Sequence, residues 1–241
     1  LLLLLGTWAW FLFVRGPTLS EGSVLLKAQH LSAKRGDAVL FQGVGFELSQ
    51  GHWLQVKGQN GAGKTTLLRM VCGLFSPVPN YFEDEQPSQD AKTEIWWKNT
   101  PLSKAREEFH QDLIFLGHAL GLKEELSALE NLLFLATLHG QALSRSNALS
   151  ALQAMGLKGR EHLPTRVLSQ GQRRRVALSR LMVQEARLWV LDEPFVALDS
   201  QGIDLLLGLI QHHLFEGGAL LFTSHQNVNF TAPGNVLELH A

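Results

Sequence analysis

Gly58-Gln59-Asn60-Gly61-Ala62-Gly63-Lys64-Thr65 fits the pattern G-x-x-x-x-G-K-[ST]. Glycines at this spacing let successive backbone N–H groups curl round an anion, and a helix starting there adds the positive end of its dipole. Lys64 is the residue type that neutralises β- and γ-phosphates, and the Thr65 hydroxyl is the type that holds Mg²⁺. Gly58, Asn60, Gly61, Ala62, Gly63, Lys64, Thr65 and Thr66 are therefore expected to cradle the phosphates of a nucleoside triphosphate. A second constellation follows far downstream, where the apolar run Leu188-Trp189-Val190-Leu191 delivers Asp192 and then Glu193. A carboxylate at a strand end can share Mg²⁺ with Thr65, and an acid one position further can polarise a water facing the γ-phosphate.

Such residues need strands that end at one place. Leu54, Val56 and their neighbours read as a short strand running into the glycine turn, and Thr65 to Leu74 as a helix with apolar Leu67, Leu68, Val71 and Leu74. Leu188 to Leu191 and Ala219 to Phe222 read as further strands, with helical stretches at Leu132 to Leu138 and Arg173 to Met182. Alternation of this kind predicts an α/β sheet with much parallel pairing, whose sites lie beyond the strands' carboxyl ends. Ser76 to Pro101 interrupts it with four of the eight prolines and an acidic Glu83-Asp84-Glu85 triplet, and reads as a surface excursion without a function of its own. Trp96-Trp97 is expected to begin the return to the body.

The 241 residues with 45% hydrophobic content suffice for a packed core, and 18% charged residues exclude a disordered or multi-span membrane chain. Charges of 21 basic against 22 acidic give a net −1, so no bulk electrostatic argument favours nucleic acid. Cys72, the only cysteine, rules out an internal disulfide and a cysteine-rich zinc site. Leu1 to Val14 is apolar throughout, shorter than the roughly 17 to 25 residues that span a bilayer. An incomplete start, a membrane-contacting extension and a buried strand all fit it, and residues 1–22 are set apart from the fold argument.

Between the two constellations stands Leu168-Ser169-Gln170-Gly171-Gln172, followed by Arg173-Arg174-Arg175-Val176-Ala177-Leu178. Here the sequence resembles the ATP-binding cassette (ABC) ATPases, whose signature loop usually reads LSGGQ, with Gln170 replacing a glycine. The resemblance implies an α/β P-loop NTPase cassette over 23–241, with a mixed core sheet, an inserted helical signature subdomain at about 110–185 and the polar insertion at about 76–101. Ser169, Gly171 and Gln172 would then complete the ATP site of a second, identical chain. A helix start bearing a hydroxyl and an unhindered glycine is an anion site suited to that task. The side chains of the arginine run are expected on a solvated helix face. Ala197-Leu198-Asp199 looks like the family's D-loop, and His225 in Ser224-His225 like its switch histidine, which would bond the γ-phosphate and fix the geometry around Glu193. Lys64, Glu193 and His225 are thus the expected catalytic set.

Two positions depart from the family pattern. The Q-loop position falls on His118, where a protonated ring would oppose the metal, and the adenine-stacking aromatic position falls on or near Arg35, whose guanidinium can also stack on a base. Gly117-His118, Gly121 to Leu132, and Leu188 to Asp199 with Ser224-His225-Gln226 are similar to one subfamily, the ATP-binding subunit of the haem exporter of bacterial-type cytochrome c maturation. That similarity implies a peripheral protein on the cytoplasmic, or matrix-equivalent, face of the inner membrane. It would act with integral membrane permease subunits, using ATP and Mg²⁺, with no nucleic acid and no haem-ligand motif of its own. With 16 residues after His225, no appended regulatory domain is expected. Alternatives are the ATPase of another ABC transporter for lipids, metals or drugs, a DNA-maintenance ATPase, and a translation-factor cassette protein. The Lys64 to Ser169 stretch is too short for the coiled-coil arm of the DNA-maintenance class, and one P-loop does not fit the tandem cassettes of the translation-factor class.

Overall fold

The computed structural model describes residues 22–78, 93–226 and 228–239; the apolar run at 1–14 and most of the polar insertion, 79–92, lie outside the described residues. In chain order the first half comprises β1 (Val24–Arg35), β2 (Ala38–Ser49), β3 (Trp53–Gly58), α1 (Lys64–Val71), β4 (Glu94–Trp97), β5 (Thr100–Pro101), α2 (Leu102–Gln111) and β6 (Leu113–Leu116). The second half comprises α3 (Ala128–Leu138), α4 (Arg145–Ala154), α5 (Gln170–Leu178), α6 (Arg180–Val183), β7 (Leu188–Leu191), α7 (Ser200–Phe215), β8 (Ala219–Thr223) and β9 (Gly234–Leu239).

Two sheets form among the described residues. The order β6-β7-β8-β3-β9 is parallel throughout, and β2-β1-β4-β5 is antiparallel. Both strand senses of the expected mixed core sheet are present, but each is gathered in a sheet of its own. Every residue of β7 and β8 is buried, as parallel strands covered on both faces require. β1 and β2 meet at a two-residue turn, where Gly36 takes the positive φ of 61° that such hairpin loops demand. The return strand foreseen at Trp96-Trp97 is β4: Trp97 pairs with Leu26, is fully buried, and meets Phe109 edge-on at 5.4 Å between ring centres.

α1 packs in the core shared by the two sheets, burying Leu67, Leu68, Met70 and Val71. Truncating Leu67 to Ala there would cost about 2–5 kcal/mol, because the rigid surroundings cannot fill the void. The helix stops before the expected Leu74. Gly73, at φ 70°, donates to Met70 O at 3.0 Å and Leu74 donates to Arg69 O at 2.8 Å, a Schellman ending that only a residue tolerant of positive φ permits. Leu74 is consequently 62% exposed rather than on the buried face.

The other face of the parallel sheet is covered by α7, where Leu206, Leu209, Ile210 and Leu214 pack with Trp189 and Phe222. A third apolar cluster joins α3, α4 and α5 through Leu129, Leu132, Leu152 and Val176. These helices lie between β6 and β7 in sequence. β6 pairs with β7 in the parallel sheet, so the helical subdomain begins after Leu116 and not at about 110. The helix expected over Arg173 to Met182 is two helices with Ser179 between them, its hydroxyl donating back to Arg175 O at 2.9 Å.

Candidate active site

β3, β7 and β8 run parallel and adjacent, so the turn after β3, Asp192-Glu193 after β7 and Ser224-His225 after β8 emerge on one edge. They share a cleft of about 560 Å³ lined by Arg35, Asn60, Gly61, Gly63, Lys64, Thr65, Thr66, Asp192, Glu193 and His225, and also by Lys34, Leu40, Arg69 and Phe75. The last four were not foreseen. Arg69 lies one turn beyond Thr65 and Phe75 just past the glycine stop, so the helical period and that stop were the available signals.

The loop owes its shape to glycine. At Gly63, φ 90° opens the helix, and a Cβ there would meet the Phe41 ring at 2.9 Å. At Gly58, φ is 151° and a Cβ would lie 2.7 Å from Leu239 O. Ala62 is buried beneath the loop. Lys64 Nζ donates to Gly58 O at 2.8 Å and Gln59 O at 3.1 Å, which holds the ammonium folded over the loop.

Opposite lies a hydroxyl–carboxylate chain. Thr65 Oγ1 donates to Asp192 Oδ2 at 2.7 Å, and Thr223 Oγ1 donates to Asp192 Oδ1 at 2.7 Å. Thr223 Oγ1 in turn accepts from Glu193 N at 2.8 Å. Asp192 is 3% exposed, so its orientation is held from both sides. Glu193 adopts φ 48°, a left-handed conformation that costs a non-glycine residue on the order of 1–3 kcal/mol and is held only by surrounding bonds. Its Oε1 is buried without a hydrogen-bond partner among the described residues, although His225 Nε2 lies 3.4 Å away, and Oε2 accepts from His225 N at 3.4 Å.

Hard oxygen ligands, one hydroxyl and one carboxylate, suit Mg²⁺, which takes few protein ligands and completes its shell with water and substrate phosphates. Among the described residues no cluster of three or more His, Cys, Asp or Glu side chains offers an all-protein metal site.

Ser169, Gly171, Gln172, Asp199 and His118 do not line this cleft. Ser169 caps α5, where its Oγ accepts from Gln172 N at 3.2 Å and its N–H donates to Gln172 Oε1 at 3.0 Å. Gly171 faces the Ala197 carbonyl of its own chain, and a Cβ would lie 2.7 Å from Ala197 O. Asp199 caps α7 through Gly202 N at 2.9 Å and receives the Arg175 guanidinium; these bonds hold its carboxyl below the usual carboxylate range. His118 is exposed on the loop after β6.

The solvated-face expectation for the arginine run is overturned at Arg174, which is 6% exposed. Its guanidinium donates to Gly117 O at 3.3 Å, Asp192 O at 3.1 Å, Glu193 O at 2.6 Å and Pro194 O at 3.4 Å. Five donors in a rigid fork can serve several carbonyls at once, which is how a permanent cation tolerates burial. Arg175 is also largely covered and donates to Met155 O at 2.8 Å.

The family model described as ABC transporter matches residues 41–196. The chain is similar to the cytochrome c biogenesis ATP-binding export protein CcmA of Albidiferax ferrireducens, 46% identical over 217 residues that make up 90% of this chain and 97% of that protein. It is equally similar to the same-named protein of Dechloromonas aromatica, at 46% identity over 89% and 98%. Among solved structures, an ABC transporter ATP-binding protein from Pyrococcus furiosus superposes with a TM-score of 0.71, at 25% identity and over 89% of this chain and 97% of that one.

Proposed function

Because this chain belongs to the ABC transporter ATP-binding family, and within it groups with the cytochrome c biogenesis ATP-binding export proteins, we propose that it is the ATP-hydrolysing subunit of a haem exporter serving c-type cytochrome maturation. One observation carries the enzymatic part: parallel strand ends bring Lys64, Thr65, Asp192, Glu193 and His225 into one cleft. Backbone N–H groups of the glycine loop and the start of α1 receive the β- and γ-phosphates, and Lys64 turns from the loop carbonyls to the phosphate oxygens. The Glu193 carboxylate, which lines the cleft, accepts a proton from water as that water attacks the γ-phosphorus; the bond to the β-bridging oxygen breaks, releasing ADP and phosphate. His225, 3.4 Å from that carboxylate, steadies it and reaches the γ-phosphate. Bound Mg²⁺, held by Thr65 and Asp192, would supply charge neutralisation on the β- and γ-oxygens.

The signature residues support a head-to-tail homodimer, since Ser169 and Gly171 lie outside their own chain's cleft and are available to a second copy. No helix among the described residues is long and apolar enough to cross a membrane. In this reading the translocation path belongs to separate integral membrane subunits, which the chain drives from the cytoplasmic face of the inner membrane. Expression of the wild-type chain in cells lacking their own copy should restore covalently haem-bearing c-type cytochromes, and Lys64→Ala should not. Restoration by the Lys64→Ala chain, or full cytochrome maturation without either, would refute the assignment.

A further inference from the structure

Glu193 is held in its left-handed conformation through both of its backbone polar groups. Its N–H donates to Thr223 Oγ1 at 2.8 Å from β8, and its C=O accepts from Arg174 Nη2 at 2.6 Å from α5. The same guanidinium also takes the carbonyls of Asp192 and Pro194 on either side, and that of Gly117 at the root of the loop carrying His118. Arg174 belongs to the helix that Ser169 caps. One buried side chain thus ties together the signature helix, the loop after β6 and the turn presenting the water-activating carboxylate.

We propose that Arg174 is a positioning residue: its fork fixes the aim of the Glu193 carboxylate and makes that aim depend on where the signature helix and the His118 loop stand. This rests on Glu193 being the carboxylate that activates water. A shift of α5, such as a second chain closing on Ser169 would cause, is transmitted to the Glu193 peptide through hydrogen bonds to a rigid planar group. A flexible lysine or a solvated arginine would dissipate such a shift. The neighbouring Arg175 carries a parallel link to Asp199 at the start of α7 and to Met155 at the end of α4, so two consecutive residues of α5 fasten the turns on either side of Pro194 to Leu198.

The test compares Arg174→Met, which removes charge and donors, with Arg174→Gln, which removes the charge but keeps two amide donors. Steady-state ATPase is normalised to the number of ATP-binding sites counted by calorimetry, with thermal unfolding recorded in parallel. Arg174→Met should lower kcat per competent site at least tenfold with KM for ATP within twofold of wild type, and Arg174→Gln should recover part of that loss. A purely structural role would reduce the number of competent sites and leave kcat per site unchanged, which overturns the proposal. Equal losses in the two variants also overturn it, because charge and not the hydrogen-bonded fork would then be responsible. If Arg174→Met does not fold, Arg174→Gln decides alone: a kcat per site three- to tenfold down at unchanged KM supports positioning, and wild-type kcat rejects it. Glu193→Gln run alongside separates the two readings, since appreciable hydrolysis by that variant condemns the role of Glu193 itself, whereas a dead Glu193→Gln beside a normal Arg174→Met condemns only Arg174.

Discussion

Thr65 Oγ1 and Asp192 Oδ2 lie 2.7 Å apart although 127 positions separate them in the chain. That bond joins the helix bearing the phosphate loop to the end of β7 and forms the donor pair that a divalent cation would share. Asp192→Asn keeps the shape and can still bond Thr65, but loses the charge. Its hydrolysis with Mg²⁺ should fall at least 100-fold, while ATP affinity in the presence of a chelator stays within a few-fold of wild type. Calorimetry with and without Mg²⁺ checks it; an Mg²⁺-dependent affinity gain as large as that of wild type would remove Asp192 from the metal site.

Glu193→Gln should retain ATP binding and lose kcat by a factor on the order of 10² to 10⁴, the usual worth of a positioned general base. The phosphate contacts from the glycine loop and Lys64 are untouched, so the ATP-bound dimer should accumulate, visible as a doubled mass in size-exclusion chromatography with light scattering. A variant that turns over at the wild-type rate would assign the water to another group.

Sharing of the signature loop between chains can be tested with Ser169→Asp. Aspartate caps a helix as well as serine does, so α5 survives while a carboxylate opposes the incoming phosphate. Gly171 is the poorer choice, since any side chain there collides with Ala197 O in the same chain. Heterodimers of Lys64→Ala and Ser169→Asp chains should keep one intact site if loops are exchanged, and none if each chain serves itself. The number of ATP molecules occluded per isolated heterodimer distinguishes these outcomes.

His213 stacks on Trp189 with ring centres 3.9 Å apart, its Nε2 is 3.2 Å from Ala219 O, and burial pushes its pKa down to about 3. An unfolded histidine titrates near 6.5, so between those values only the unfolded chain takes up the proton. The stability tied to a neutral His213 is fully present above about pH 6.5 and is lost as the pH falls towards 3, by at most about 1.4 kcal/mol per pH unit. His213→Phe keeps the stack and gives up the Ala219 bond. It should be about 1 kcal/mol less stable than wild type at pH 8 and visibly flatter in urea midpoint between pH 6.5 and 4.5. Parallel pH profiles for the two proteins would assign the acid sensitivity elsewhere.

Residues whose chemistry is written locally were legible in the sequence: Asn60, Gly61, Gly63 to Thr66, Asp192-Glu193 and His225 all line the cleft, and so does Arg35, whereas Gly58 and Ala62 shape the loop without lining it. Their meeting place followed from the parallel pairing of apolar runs. The antiparallel β1 and β2 left a weak trace because repeated register shifts break the alternation of buried and exposed positions. Arg174 was misread for a different reason. A charged residue is taken as solvated, yet it shares a helical stripe with Ala177, Leu178 and Leu181, all buried. That stripe was the sequence signal, outweighed by the arginines on either side. Ser169, Gly171 and Asp199 are placed by caps and turns that make sense of their types, while the cleft they are proposed to serve belongs to a second chain.

The position of β3 has a further consequence for the chain during its synthesis. This strand carries the phosphate loop but lies between β8 and β9, which are translated last of the strands, and Trp53 Nε1 bonds Ala232 O, 179 positions later. At about 5–20 residues per second, the ribosome takes roughly 10–40 s to supply those neighbours. Throughout that interval β3 lacks both of its strand neighbours, and the glycine loop has no completed site opposite it. The cleft is therefore assembled only when the final strands arrive, however early the glycine loop is made.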